Sequence, residues 1–68
     1  MEFCLLEWIW DQKKIACYFR DGKTIEKSGD YKELAQLLTE LGQEGWQISS
    51  NAASANWLMW TLHRTMPE

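Results

Sequence analysis

His63 is the single histidine of the chain, and Cys4 and Cys17 are its two cysteines. A thiol activated by a neighbouring imidazole is the simplest nucleophile–base pair these residue types could build. Structural zinc takes four ligands, usually in closely spaced pairs, and these residues are too few. Both cysteines stand in hydrophobic segments, where a free thiol behaves as a small buried hydrophobe. His63 stands beside Arg64 near the chain end, an exposed place. Glu33, Glu40 and Glu44 could offer paired carboxylates for acid–base work. At their spacing they instead form the solvated side of an amphipathic helix. Gly42-Gln-Glu-Gly45 lies at a helix end, whereas phosphate loops open a helix. The sequence thus predicts no enzyme, with no catalytic residue, no metal ligand and no cofactor.

The aromatic residues carry more. Five tryptophans stand in 68 residues, at Trp8, Trp10, Trp46, Trp57 and Trp60. A domain of this size buries only about 60% of the surface its unfolded chain exposes. Each indole brings ~150–250 Å² and needs a partner for its N–H when buried. At least one indole is therefore expected to meet a second subunit, a partner protein or a ligand. Tyr18, Trp57 and Phe3 could present ring faces on an open sheet with Arg20 and Arg64 nearby, as single-strand RNA readers do. The net charge of −3 and the scattered basic residues oppose that reading. Packing on a second copy accounts for the same rings.

The elements that position these residues follow from period and turn signals. Residues 2–10, apolar with Glu7 as the one interruption, suit a strand covered on both faces. Asp11-Gln12-Lys13-Lys14 reads as a turn, and residues 14–20 as a second strand. A tight loop at Gln12-Lys13 would set Trp10 opposite Ile15, Trp8 opposite Cys17 and Leu6 opposite Phe19. One face would then carry Cys4, Leu6, Trp8, Trp10, Ile15, Cys17 and Phe19. The other would carry Phe3, Leu5, Glu7, Ile9, Ala16, Tyr18 and Arg20. Arg20-Asp21-Gly22-Lys23 is a hairpin turn with Gly22 at positive φ, leading to a short third strand at 24–27.

Asp30 and Glu33 have capping-box spacing. Leu34, Leu37, Leu38 and Leu41 follow as one helical stripe. Gly45 is placed to stop the helix in a left-handed conformation. Trp46 and Ile48 open a strand that ends in Ser49-Ser50-Asn51, residues 51–56 read as a small-residue loop, and 57–64 as the closing strand. Trp57 and Trp60 must then face opposite sides of the sheet. Leu58, Trp60 and Leu62 are assigned to the helix side, and Trp57, Met59, Thr61 and His63 to the other.

Leu-Leu-Thr-Glu-Leu-Gly-Gln-Glu-Gly-Trp-Gln-Ile-Ser at residues 37–49 resembles a small bacterial and phage family with a core of roughly L-N-x-L-G-x-E-G-W-E-L-V-S. That family is known as a domain of unknown function (DUF four-one-seven-seven). Gly42, Glu44, Gly45 and Trp46 match, and Gln47 replaces an acid. The family's first strand, helix, Gly-Trp strand and final strand correspond to residues 2–10, 31–45, 46–50 and 57–64. The hairpin around Asp21-Gly22 and the rings of Trp57 and Trp60 depart from it. The resemblance implies a fold and no activity, so it brings no functional residues.

Cysteine usage, an N-terminus without a basic leader and the lack of any apolar run near ~18 residues predict a soluble protein of the cytoplasm, cellular or viral. The expected fold is a single α+β domain over 1–68: an antiparallel sheet of four or five strands with one helix, 31–45, on one face. Strand 1 is expected at the centre. The expected core is Leu6, Trp8, Cys17, Leu34, Leu37, Leu38, Leu41, Trp46 and Leu58 or Trp60. The functional expectation is a non-catalytic, self-associating interaction module, most simply a homodimer, that regulates or inhibits a partner protein. The alternative is an oligomer that binds a nucleotide-like ligand in an aromatic interface pocket. The residues expected to bind or self-associate are Phe3, Leu5, Ile9, Tyr18, Arg20, Trp57, Met59 and His63.

Overall fold

In a computed structural model, which describes residues 1–65, strands and helix follow in the order β1 (Glu2–Ile9), β2 (Lys14–Phe19), β3 (Thr24–Ser28), α1 (Tyr31–Gln43), β4 (Gln47–Ser54) and β5 (Trp57–Arg64). The five strands form one antiparallel sheet in the order β3-β2-β1-β5-β4, with β1 central and α1 on one face, so the fold is α+β as expected.

Two local expectations need correction. The first is the β1–β2 register: Leu6 lies opposite Cys17, Trp8 opposite Ile15 and Cys4 opposite Phe19. Asp-Gln-Lys lacks the Asn-Gly type of pair that closes a tight hairpin. The chain therefore turns over Trp10–Lys13, with Lys13 at φ 51° and its N–H bonded to the Trp10 carbonyl at 3.2 Å. Trp10 thus leaves the strand and is exposed in the turn. The slip is an even number of residues, so each side chain keeps its expected face.

The second correction is β4, which runs to Ser54 where a loop was expected from Asn51. Gln47–Ser54 holds no glycine or proline to end a strand, and β5 offers partners along that whole length. Ser49 is accommodated as a bulge between Ile48 and Ser50.

The helix is set at both ends by its own sequence. Asp30 and Glu33 form the capping box, in which the Glu33 carboxylate accepts the Asp30 N–H at 2.8 Å. At the other end Gly45 takes φ 93°. The Trp46 N–H reaches the Leu41 carbonyl at 3.1 Å, and the Gly45 N–H reaches the Gly42 carbonyl at 3.0 Å. That pair of bonds is a Schellman motif, and its usual apolar contact is made by Trp46 and Leu41, both in the core. The Gly-Trp pair that carries the family resemblance is thus fully used in stopping the helix.

The core lies between α1 and the β1–β2 half of the sheet. Cys4, Leu6, Ile15, Cys17, Leu34, Leu37, Leu41, Trp46 and Leu62 are its buried members. Trp8, Leu38 and Trp60, expected inside, pack against it only partly buried. Leu58 is also half-buried. Ala16, assigned to the opposite face, is nevertheless buried, because its methyl sits in a row between Glu7 and Glu26.

The two glycines near the end of α1 should respond oppositely to alanine. Gly42 is helical, and a Cβ there meets nothing within 4 Å. Gly42→Ala should therefore stabilise the protein by ~0.5–1 kcal/mol. Gly45→Ala should cost ~1–2 kcal/mol, since its φ is left-handed. Urea denaturation midpoints of the two variants check this: both shifts should be resolved, and in opposite directions.

Candidate functional site

Among the described residues, nothing forms a second layer over the sheet face away from α1. Cross-strand rows build it: His63 beside Phe3; Thr61, Leu5, Tyr18 and Thr24; Met59, Glu7, Ala16 and Glu26; Trp57, Ile9, Lys14 and Ser28. Seven of the residues singled out in the sequence, Phe3, Leu5, Ile9, Tyr18, Trp57, Met59 and His63, come together on it. Phe3, Leu5 and Tyr18 are 50%, 42% and 40% exposed. The other four are half-buried. Contiguous apolar surface of this kind on a small chain marks a contact surface more often than a solvent face.

Arg20 and Arg64 do not join this group. Arg20 lies in the turn after β2, and Arg64 points to the helix side, where its guanidinium stacks 4.5 Å from the Trp46 ring centroid. Arg64 also pairs with Glu2 and donates to the Glu44 carbonyl at 3.2 Å. The expected arginine beside Tyr18 and Trp57 is therefore not Arg64.

Glu7 is the residue of this face that the sequence reading left out of the expected binding set. It sits mid-face on the central strand, where its carboxylate accepts the Tyr18 hydroxyl at 3.0 Å and the Trp57 indole N–H at 3.1 Å. The half-buried Trp57 indole thus finds a partner for its N–H inside its own sheet. Glu7 pushes the Tyr18 phenol above its ordinary pKa, first by holding its proton in a hydrogen bond and then by its charge. Its alternation with Leu5 and Ile9 was visible in the sequence, but Tyr18 and Trp57 lie on the two strands that flank β1. His63 ends the same face, its Nδ1 hydrogen-bonded to the Ser49 hydroxyl at the β4 bulge and its ring 6.3 Å from that of Phe3.

The nucleophile–base pair weighed above does not form. His63 is on the open face, whereas Cys4 and Cys17 point to the helix side and are buried. Burial pushes both thiols up, Cys17 to about 12. A thiol so protonated is a poor nucleophile at neutral pH. Among the described residues no group of three or more His, Cys, Asp and Glu side chains is placed to hold a metal ion, and no helix is long and apolar enough to cross a membrane.

A pocket of about 500 Å³ opens on the helix side past the end of α1. Phe19, Ile25 and Trp46 give it an apolar wall, and Arg20, Lys23 and Arg64 alternate around it with Glu2, Asp21 and Glu44. On the same side the Trp8 Nε1 is buried and, among the described residues, has no hydrogen-bond partner.

Comparison of the chain with models of known families, with curated proteins and with solved structures finds no match.

Two titrations test this geometry. The folded thiols hold their protons to higher pH than an unfolded chain does, so stability should fall as pH rises from about 9 toward about 12. Denaturation midpoints across that range should decline, and less steeply in Cys17→Val, which keeps an apolar filler. For the second, Glu7→Gln should return the Tyr18 phenol toward its ordinary pKa. The ring-carbon resonance of Tyr18, followed by NMR with pH, reads this directly. An unmoved midpoint would show that Glu7 does not hold Tyr18.

Proposed function

We propose that this protein is a non-catalytic interaction module that self-associates, with a homodimer as its unit, and that regulates or inhibits a partner protein. The observation that carries this reading is exposed surface that the helix does not cover: the sheet face, with Leu5 and Tyr18 exposed near its middle and Phe3 at its end, and the strand β4. A two-fold contact is the simplest association for such a chain, since one patch then serves both subunits. The open face and the exposed strand β4 are the surfaces available for contact.

Glu7 shapes what the face accepts. A carboxylate in the middle of an apolar surface repels phosphates and attracts a cationic side chain, and the flanking rings of Tyr18 and Trp57 favour such a cation further. The partner that fits is a polypeptide presenting apolar residues around a lysine or arginine; nucleic acid fits poorly. The two buried free thiols accord with a reducing compartment such as the cytoplasm. The family resemblance at residues 37–49 remains part of this proposal as a likeness of fold.

The second reading, an oligomer that binds or sequesters a nucleotide-like ligand, draws on the pocket at Phe19 and Trp46 with its three basic side chains. Two of those bases are already matched there, Arg64 with Glu2 and Lys23 with Asp21 at 3.9 Å. A phosphate would have to compete with both acids, so the first reading is preferred.

Sedimentation over a dilution series, with tryptophan fluorescence under a nucleotide panel, separates the readings. A mass of two subunits that falls on dilution, with no saturable quenching, is expected. A monomer at every concentration would remove self-association, and saturable quenching by a nucleotide would favour the second reading.

A further inference from the structure

We propose that two copies of this chain join through the free edge of β4, antiparallel across a two-fold axis, so that two five-stranded sheets become one. This rests on the self-associating reading above and names the surface on which the copies meet. β4 closes the sheet on one side and, among the described residues, is bonded to β5 alone. All eight of its residues, Gln47–Ser54, are exposed, and none is charged or proline. A strand edge with open N–H and C=O groups is a template for another strand. Monomeric proteins guard such edges with charges, prolines, short strands or covering elements.

The opposite edge shows that guard. β3 has five residues, includes Glu26 and Lys27, and is tied to the helix by Lys27, 3.9 Å from Glu40. β4 has only the bulge at Ser49, close to its start, and beyond it Ser50–Ser54 pairs with β5 without interruption.

Neutrality and size point to a second copy as the occupant. Across a two-fold axis a strand meets its own residues in reverse, so charged residues would meet their own kind near the axis. Glutamine, isoleucine, serine, asparagine and alanine, which make up β4, are not repelled by their own copies. Recognition of a foreign strand relies on pockets for its alternate side chains. The side chains along Ser49–Ser54, serine, asparagine and alanine, are too short to frame deep pockets of that kind. Pairing would cover Ile48, which is 54% exposed. It would also set two open faces side by side, leaving Phe3, Leu5 and Tyr18 for the partner.

The test compares three full-length chains by sedimentation and by hydrogen exchange of the β4 amides not bonded to β5. Ala52→Lys with Ala53→Lys places charges on both sides of the edge at exposed positions; Leu5→Glu places one on the open face. The expected result is a wild-type dimer with those amides protected. The lysine variant should be a monomer, its dimer dissociation constant raised at least tenfold, with the wild-type denaturation midpoint at dilutions where the wild type is itself monomeric, and the Leu5→Glu chain a dimer. A dimer lost in Leu5→Glu and kept in the lysine variant would overturn the edge while leaving self-association in place. A wild-type monomer with freely exchanging β4 amides would overturn both. A monomer whose amides become protected on adding an extended serine–alanine peptide would assign the edge to a foreign strand and overturn the second copy as occupant.

Discussion

One helix must cover a five-stranded sheet, and the rest of the structure answers to that shortage. Strands spaced ~4.8 Å apart make a sheet roughly 19 Å wide, while a helix is about 10 Å across. One helix therefore shields about two strands on one face. The burial pattern follows this geometry closely. β1 and β2 supply Cys4, Leu6, Ile15 and Cys17 to the core, β5 supplies Leu62, and β4 supplies nothing. The open face and the β4 edge alike are places the helix cannot reach.

Placement of the helix depends in turn on a few residues at its C-terminal end. Gly45 reverses the chain at positive φ, so that Trp46 returns onto Leu41 and not into solvent. The Trp46 ring then meets Phe19 at 6.0 Å and receives the Arg64 guanidinium on its face. Arg64 belongs to the last strand and Glu2 to the first, so their ion pair joins the two ends of the described chain across the sheet. Both side chains are part-buried, and a paired charge there loses less to solvent screening than an exposed one. The pocket beside them is what remains where helix and sheet diverge.

Much of this was legible from the residues. The leucine stripe, the capping box, Gly22 and Gly45 at positive φ, the central place of β1 and the opposed faces of Trp57 and Trp60 all follow from period and turn chemistry. Two features did not. The β1–β2 turn carries no residue pair that fixes its length, so its register could not be read from the turn residues. β4 was lost because Ser-Ser-Asn-Ala-Ala-Ser has the composition of a loop and no apolar alternation. Its state as a strand comes from β5, whose backbone groups need partners on both sides. The open face was legible as a list of side chains. The bond between Glu7 and Trp57, fifty residues apart, could come only from the fold.

The chain's charges are arranged consistently with the same shortage. On the helix side Lys27 is matched by Glu40, and Arg64 by Glu2, around a core without a buried charge. On the open face Glu7 is held by two neutral donors instead of a cation. Neither donor brings a positive charge, so the hydrogen bonds from Tyr18 and Trp57 leave the attraction of this carboxylate for a cationic group unmatched. The edges divide in the same way, with charge on β3 and none on β4. A sheet closed by charge at one edge and neutral at the other leaves the β4 edge as the one open to a further strand, so the pairing of copies proposed above would stop at two and would not run on into a fibre. In that arrangement each copy would keep its aromatic face, with Glu7 at its middle, for another partner.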